Sequence, residues 1–259
     1  MPNRLNKLFV LPFAICYLLS ASGCVTIYNP ATQKRETLLI GTKQEVSLGQ
    51  SMDRQIQREL PILKDTPQQE RLDRIGQKVA GASDRQDLEY HFKIIKDKDL
   101  NAFAVPGGFV YLNSGLIDAA GDDELACVLA HEIGHIAARH SVKKLQAGLG
   151  YQVVMNIILG VGGAQTVSRA ISITFNLVSL GYSRKDEFLA DKLAVKYAYN
   201  SGFNPQGMVT FFEKLQKEAQ NRGPDFNLVF LSSHPPIKER IKNAQNEIAN
   251  VSRIPESRP

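Results

Sequence analysis

The chain has 259 residues, of which 43% are hydrophobic and 22% are charged, and its formal net charge is +5. This composition is typical of a globular protein, and the length suits one domain with a proper core and an appendage. The lysines and arginines are scattered among acidic residues and form no basic stripe with a recognisable nucleic-acid-binding motif. The sequence therefore argues against a nucleic-acid partner.

The first 24 residues differ from the rest of the chain. A positively charged start precedes an apolar run over 8–19, which is followed by small residues and ends at Gly23-Cys24. The apolar run has about 12 residues, whereas a helix that spans a bilayer needs about 20. The pattern is therefore typical of an export signal and not of a membrane-spanning helix. It resembles a bacterial lipoprotein signal, except for Ala21, where that pattern usually has leucine. We predict a signal over residues 1–23 with lipidation of Cys24, the alternative being a plain signal peptide and a soluble periplasmic protein.

Residues 24–43 are polar and irregular, and they predict a tether ahead of a domain over 44–259. A helix is expected early in this domain. Thr66 followed by Pro67 predicts the start of a second helix, because threonine is a good N-cap and proline suits the first helical position. Gln69 stands where a capping box has its glutamine.

Short alternating segments follow, and they predict a small sheet. The segments around Phe92, over 101–105 and over 109–112 are predicted strands. The apolar, glycine-rich residues 147–181 predict a helical hairpin over the active site, the alternative being contact with the membrane. Helices are predicted at 123–146, 183–200, 205–221 and 236–250.

The segment His131-Glu132-Ile133-Gly134-His135 carries the clearest chemical signal. Two histidines four residues apart lie on the same face of a helix, so both imidazoles can reach one metal ion. Glu132 lies beside them and can take a proton from water that the metal polarises. The flanking residues are apolar, and uncompensated imidazoles and a carboxylate would be costly in a core. We therefore predict a zinc site of the HExxH type, with His131 and His135 as ligands and Glu132 as general base.

Zinc needs a third protein ligand. One class of HExxH enzymes uses a histidine six residues after the second one, but that position is Ser141 here. His140 lies five residues after His135, which turns it about 140° around a regular helix. We predict His140 to be a surface residue near the helix end.

A second class takes a glutamate from a later helix, and Glu187 is the candidate here, with Asp186 as the next choice. Asp191 lies one turn further on and is expected to accept a hydrogen bond from a ligand histidine. Ala190 would let the two helices approach each other. The alternative is that Glu187 and Asp191 are only the polar face of an amphipathic helix.

HExxH, the later ExxxD and two further segments together resemble the M48 family of zinc metallopeptidases. The further segments are NAFAVPGGFVY at 101–111 and Ser233-His234-Pro235-Pro236, followed by Arg240. The resemblance covers about residues 40–250. With the export signal, the chain looks most similar to the outer-membrane quality-control branch of that family.

The resemblance implies further roles. The strand Phe109-Val110-Tyr111-Leu112 would be the edge beside the cleft, where an unfolded substrate pairs through its main chain. His234 would stabilise the oxyanion, or it would approach the zinc and hold the enzyme inactive; otherwise it is a helix-capping residue. Arg240 would orient this loop or stabilise developing charge.

We therefore expect an α+β, mostly helical zincin domain of the gluzincin type, with a small sheet and one zinc ion per chain. The expected function is endoproteolysis of misfolded or unassembled envelope proteins, with the outer-membrane assembly machinery as a further partner. The expected location is the outer membrane, facing the periplasm, through the lipid anchor. Two alternatives are a chaperone-like assembly factor with secondary proteolysis and a lipoprotein whose zinc is structural.

Overall fold

The computed structural model of the chain describes residues 25–64, 66–148, 181–222, 234 and 237–251. Helices dominate these ranges and surround a small sheet, so the predicted α+β, mostly helical class is confirmed. Residues 140–148 are helical as well. The other elements, in chain order, are β1 (Val25–Asn29), β2 (Lys34–Leu38), α1 (Thr42–Glu59), β3 (Ile62–Leu63), α2 (Pro67–Gly81), β4 (His91–Ile95), β5 (Ala102–Val105), β6 (Phe109–Asn113), α3 (Ser114–Ala119), α4 (Asp122–Ala137), α5 (Arg184–Asn200), α6 (Gln206–Arg222) and α7 (Ile237–Val251).

Strand β6 lies inside the four-stranded sheet, whose order is β3-β4-β6-β5. It pairs parallel with β4 and antiparallel with β5, and all five of its residues are buried. The prediction that Phe109, Val110, Tyr111 and Leu112 form the edge strand is therefore wrong. The tight turn before Phe109 folds β5 back onto one side of β6, and in the described chain β5 and β3 are the two edge strands. A continuous apolar run is typical of a strand buried on both faces.

The predicted irregular tether is wrong for residues 25–38, which form a β-hairpin. Strands β1 and β2 pair antiparallel from Val25 opposite Leu38 to Asn29 opposite Lys34. The Asn29 side-chain amide donates a 3.1 Å hydrogen bond to the carbonyl oxygen of Ala137, the last residue of α4. The hairpin is thus attached to the helix that carries HExxH.

Helix α2 begins as the sequence predicts. The Thr66 hydroxyl accepts a 3.2 Å hydrogen bond from the Gln69 backbone N–H, and Pro67 is the first helical residue. The Gln69 side chain does not complete a capping box but donates to the carbonyl oxygen of Phe92 in the sheet. This amide therefore joins the helix to the sheet.

Helix α4 forms the centre of the core, since every residue from Glu124 to Ala137 is buried. It crosses α5 closely: a β-carbon on Gly134 would lie 3.1 Å from the carbonyl oxygen of Ala190. The predicted continuous helix over 123–146 is wrong, because α4 ends at Ala137. A turn at 138–139 follows, with Arg139 at a φ of 56°.

Three predictions lie wholly or mostly outside the described residues: the signal over 1–23, the lipidated Cys24 and the hairpin over 147–181. In the described part of the chain, none of the helices combines the length and apolarity that a bilayer crossing requires.

Candidate metal centre

Helix α4 presents the two HExxH histidines side by side. The Nε2 atoms of His131 and His135 lie 3.1 Å apart, and both rings are buried. This follows from their spacing, since residues four apart in a helix lie on one face. The Glu132 side chain is buried in the same place.

Helix α5 brings two carboxylates to these histidines. Glu187 Oε1 lies 3.4 Å from His135 Nε2, and Glu187 Oε2 lies 3.6 Å from His131 Nε2. Asp191 Oδ1 lies 3.0 Å from the other nitrogen of His131, Nδ1. Glu187 thus faces the Nε2 atoms of both histidines, and Asp191 faces Nδ1 of His131, an arrangement in which the predicted roles are possible.

His234 also lies against this group of side chains. Its Nδ1 lies 2.9 Å from Glu187 Oε1 and 3.4 Å from His131 Nε2, and its Nε2 lies 3.7 Å from Glu132 Oε1. The ring is buried. His234 therefore stands among the predicted ligands and also within reach of the predicted base.

The donor set fits a zinc ion. One ligand atom from each of His131, His135, Glu187 and His234 lies within 4.8 Å of the others, and all four residues are buried. Imidazole nitrogen and carboxylate oxygen are donors that zinc prefers in proteins. Glu132 Oε1 and Glu187 Oε2 are buried and accept no hydrogen bond from the described residues, although Arg240 Nη1 lies 3.2 Å from Glu187 Oε2. A cation would compensate the crowded lone pairs and the orphaned oxygens.

Burial and local charge set the protonation states. Burial lowers the pKa of His131 and of His135, so both rings are held neutral. Burial alone would raise the pKa of Glu187, but the charge of His234 and hydrogen bonds from the histidines hold it well below its usual range. Neutral imidazoles and an ionised carboxylate are the states that bind a metal.

Arg240 in α7 balances the negative charge of the Asp191 carboxylate. Its Nε and Nη2 atoms donate to the two oxygens of Asp191 at 2.9 and 2.6 Å, and its Nη1 donates to the carbonyl oxygen of His234 at 3.1 Å. The guanidinium is buried and lies over the Phe212 ring. These contacts suit an orienting role, because they tie His234 to the acid behind His131.

Residues 66–248, more than half of the chain, match the sequence profile of Peptidase family M48. The chain belongs to this family. The family resemblance inferred from the four motifs is thereby confirmed, and with it membership of a group of metallopeptidases.

Named relatives extend the comparison. The beta-barrel assembly-enhancing protease of Escherichia coli K12 is 29% identical over 87% of this chain and 48% of its own length. The metalloprotease LoiP of the same organism is 30% identical over 61% of this chain and 63% of its own. The mitochondrial metalloendopeptidase OMA1 of Schizosaccharomyces pombe is 31% identical over 66% of this chain and 50% of its own. The chain spans about half of the length of the first of these relatives.

The M48 site also contains residues that sequence reasoning missed. His140, predicted at the surface, is buried, and its Nδ1 lies 2.9 Å from His135 Nδ1. Burial lowers the pKa of His140 to about 2. The Tyr182 ring stacks on His135 at 4.0 Å between centroids. Asp186, the second choice as a ligand, faces His140 instead, with Oδ1 3.4 Å from its Nε2.

Two substitutions on α5 separate a ligand from the residue behind a ligand. We expect Glu187→Ala to lose zinc, because it removes a donor from the centre of the cluster. Asp191→Ala should weaken zinc binding by about 10–100-fold, as is usual for groups that orient a ligand. Metal content after dialysis and competition titration with a chromophoric chelator measure both effects. Stoichiometric zinc in Glu187→Ala at wild-type affinity would contradict the assignment.

Proposed function

We propose that this protein is a zinc-dependent endopeptidase with one zinc ion per chain. The observation that carries the proposal is the buried donor cluster of His131, His135, Glu187 and His234, with the Glu132 carboxylate beside it. A zinc site that only stabilises a fold has no use for an additional buried carboxylate that is not a ligand. A hydrolytic site needs one as a base.

Each residue has a distinct part in the proposed reaction. Bound zinc would supply a Lewis acid that polarises the scissile carbonyl and acidifies water. His131, His135 and Glu187 would hold it. Glu132 takes a proton from the attacking water and delivers it to the leaving amine. Burial raises the pKa of Glu132, which makes its carboxylate a stronger base than an exposed one.

The proposed substrates are misfolded or unassembled polypeptides of the bacterial envelope. The name of the E. coli relative, a beta-barrel assembly-enhancing protease, supports this class and the outer-membrane assembly machinery as a partner. Helix α4 packs against β5, one of the two edge strands of the sheet in the described chain. An extended polypeptide can add to such an edge through main-chain hydrogen bonds, which demands little of its sequence.

The first prediction from this mechanism concerns the base. Glu132→Gln keeps the size of the side chain but cannot accept a proton. The rate of proteolysis of an unfolded substrate should therefore fall by roughly 10²–10⁴-fold or more, since general-base catalysis typically contributes that factor. Zinc content should stay stoichiometric, because Glu132 is not a predicted ligand. Undiminished cleavage by the Glu132→Gln variant would contradict the proposed mechanism.

The same variant addresses the chaperone alternative, which the word "assembly-enhancing" in the relative's name favours. A strain carrying Glu132→Gln is compared with a deletion strain for outer-membrane protein assembly. An equal defect means that proteolysis carries the function, and a milder defect in Glu132→Gln means that the folded protein acts without it.

A second prediction distinguishes the two roles of His234. If its imidazole stabilises the oxyanion, His234→Ala should lower kcat by about 10²–10³-fold, as loss of one such donor does. If it instead fills a ligand position in a resting enzyme, the same change should raise activity. Its Nδ1 lies among the ligand atoms while its Nε2 faces Glu132, so both roles have contacts in support. Steady-state kinetics on an unfolded substrate decide by sign, and unchanged kinetics would reject both roles.

The proposed location is the outer membrane, facing the periplasm, through lipid on Cys24. The support is the signal pattern that ends at Gly23-Cys24 and the bacterial relatives. Cys24→Ser should move the protein from the membrane fraction to the soluble periplasm or leave it unprocessed, because serine cannot form the thioether. Fractionation with immunoblotting measures this. A normally processed, fully membrane-bound variant would reject the lipid anchor.

A further inference from the structure

We propose that His140 is a positioning residue for the metal ligand His135: its Nδ1 accepts a hydrogen bond from His135 Nδ1–H and so fixes the orientation and tautomer of that ring. The inference rests on metal binding at the proposed zinc site and not on proteolysis. Sequence spacing placed His140 on the far side of the helix. The structure places it directly behind His135, with 2.9 Å between the two Nδ1 atoms.

The contacts of His140 define a short chain of polar groups. Its ring is 4% exposed and lies at 69° to the His135 ring, 4.9 Å away between centroids. Its second nitrogen, Nε2, lies 3.4 Å from Asp186 Oδ1. The Tyr182 ring lies nearly parallel to His135, and its hydroxyl is hydrogen-bonded to Ser141 at 2.7 Å. His135 is therefore held by a polar contact at Nδ1 and by stacking on its face.

Metal binding allows only one arrangement of protons along this chain. His135 faces Glu187 and His131 through Nε2, so a metal there needs Nε2 unprotonated and the proton on Nδ1. That Nδ1–H then points at His140 Nδ1, which must accept it. The proton of a neutral His140 is consequently on Nε2, where Asp186 lies. A metal-ligating histidine usually donates its other N–H to such a partner.

The two ligand histidines are thus supported differently. His131 donates to Asp191, a buried carboxylate that Arg240 binds through two hydrogen bonds. His135 donates to an imidazole that is backed by the partly exposed Asp186. The partner of His131 is a buried carboxylate, whereas the partner of His135 is a neutral imidazole. The carboxylate behind that imidazole, Asp186, is partly exposed, so this arrangement adds no further carboxylate to the core.

The interruption of α4 is what brings His140 into position. Arg139 adopts a φ of 56°, a left-handed conformation that costs energy for a residue with a β-carbon. Its guanidinium donates to Glu45 Oε2 at 3.0 Å and to the Thr42 hydroxyl at 2.9 Å. Arg85 also binds Glu45 and donates to the carbonyl oxygen of Ile136 at the end of α4. This buried cluster holds the turn that returns His140 to His135.

A pair of isosteric substitutions tests the role. Asparagine can place an acceptor oxygen near the position of Nδ1, whereas leucine has the same shape without an acceptor. His140→Leu should raise the Kd for zinc by about 10–100-fold, and His140→Asn should recover most of that loss. Zinc affinity is measured by competition with a chelator, and thermal unfolding of both variants in excess chelator controls for packing.

The relative affinity of the two variants decides the outcome. A leucine variant that binds zinc more weakly than the asparagine variant, with similar metal-free unfolding temperatures, is the expected result. Equal zinc affinity in the two variants, or weaker binding by asparagine, would overturn the proposal. Nitrogen-15 NMR of the zinc-loaded wild type needs no variant: His140 should carry its proton on Nε2, and a proton on Nδ1 would overturn the proposal as well.

Discussion

The close crossing of α4 and α5 at Gly134 is the contact on which the site depends. Ala190 opposes Gly134, and no larger side chain separates the two backbones there. Glu187 lies three residues before this crossing and Asp191 one residue after it, so both reach His131. Buried carboxylates are tolerated only when compensating groups lie at hydrogen-bonding distance. A wider crossing would leave the same residues buried but uncompensated.

Charge balance links the metal site to its surroundings. Arg240 forms a bidentate ion pair with Asp191, and the same guanidinium also reaches Glu187. His234 lies against Glu187 at 2.9 Å, and Arg240 Nη1 lies 3.2 Å from the other oxygen. Although burial alone would lower the pKa of His234, Glu187 raises it above its ordinary value. A metal ion bound as proposed would compensate the same carboxylate as the His234 ring, so metal binding and the position of that ring would be coupled.

Short sequence patterns correctly predicted the features that depend only on neighbouring residues within one helix. The four-residue spacing of His131 and His135 fixes their relation on any regular helix, and Thr66 with Pro67 fixes where α2 begins. The same holds for Glu187 and Asp191, whose spacing puts them one turn apart on α5. These predictions needed no knowledge of what the elements pack against.

The errors concern features that distant residues determine. The edge position of 109–112 depended on which strand pairs with β6, and β4 begins 18 residues earlier. The left-handed Arg139 carries no glycine or asparagine signal, because its conformation is held by Glu45, 94 residues away in the chain. His140 was misplaced for that reason alone. The buried state of a polar residue after a helix break could not be read from helical periodicity.

If Cys24 carries lipid as proposed, the β1–β2 hairpin would limit how far the metal site could lie from the membrane. A fully extended tether over 24–43 would have allowed a reach of about 65 Å, at about 3.3 Å per residue. Residues 25–38 instead form the hairpin, and the Asn29 side chain is hydrogen-bonded to the last residue of α4. Cys24 directly precedes Val25, the first residue of β1. If Cys24 carries lipid, the domain would therefore lie close to the bilayer surface. The proposed lipid anchor would then confine the site to polypeptides that lie close to the membrane.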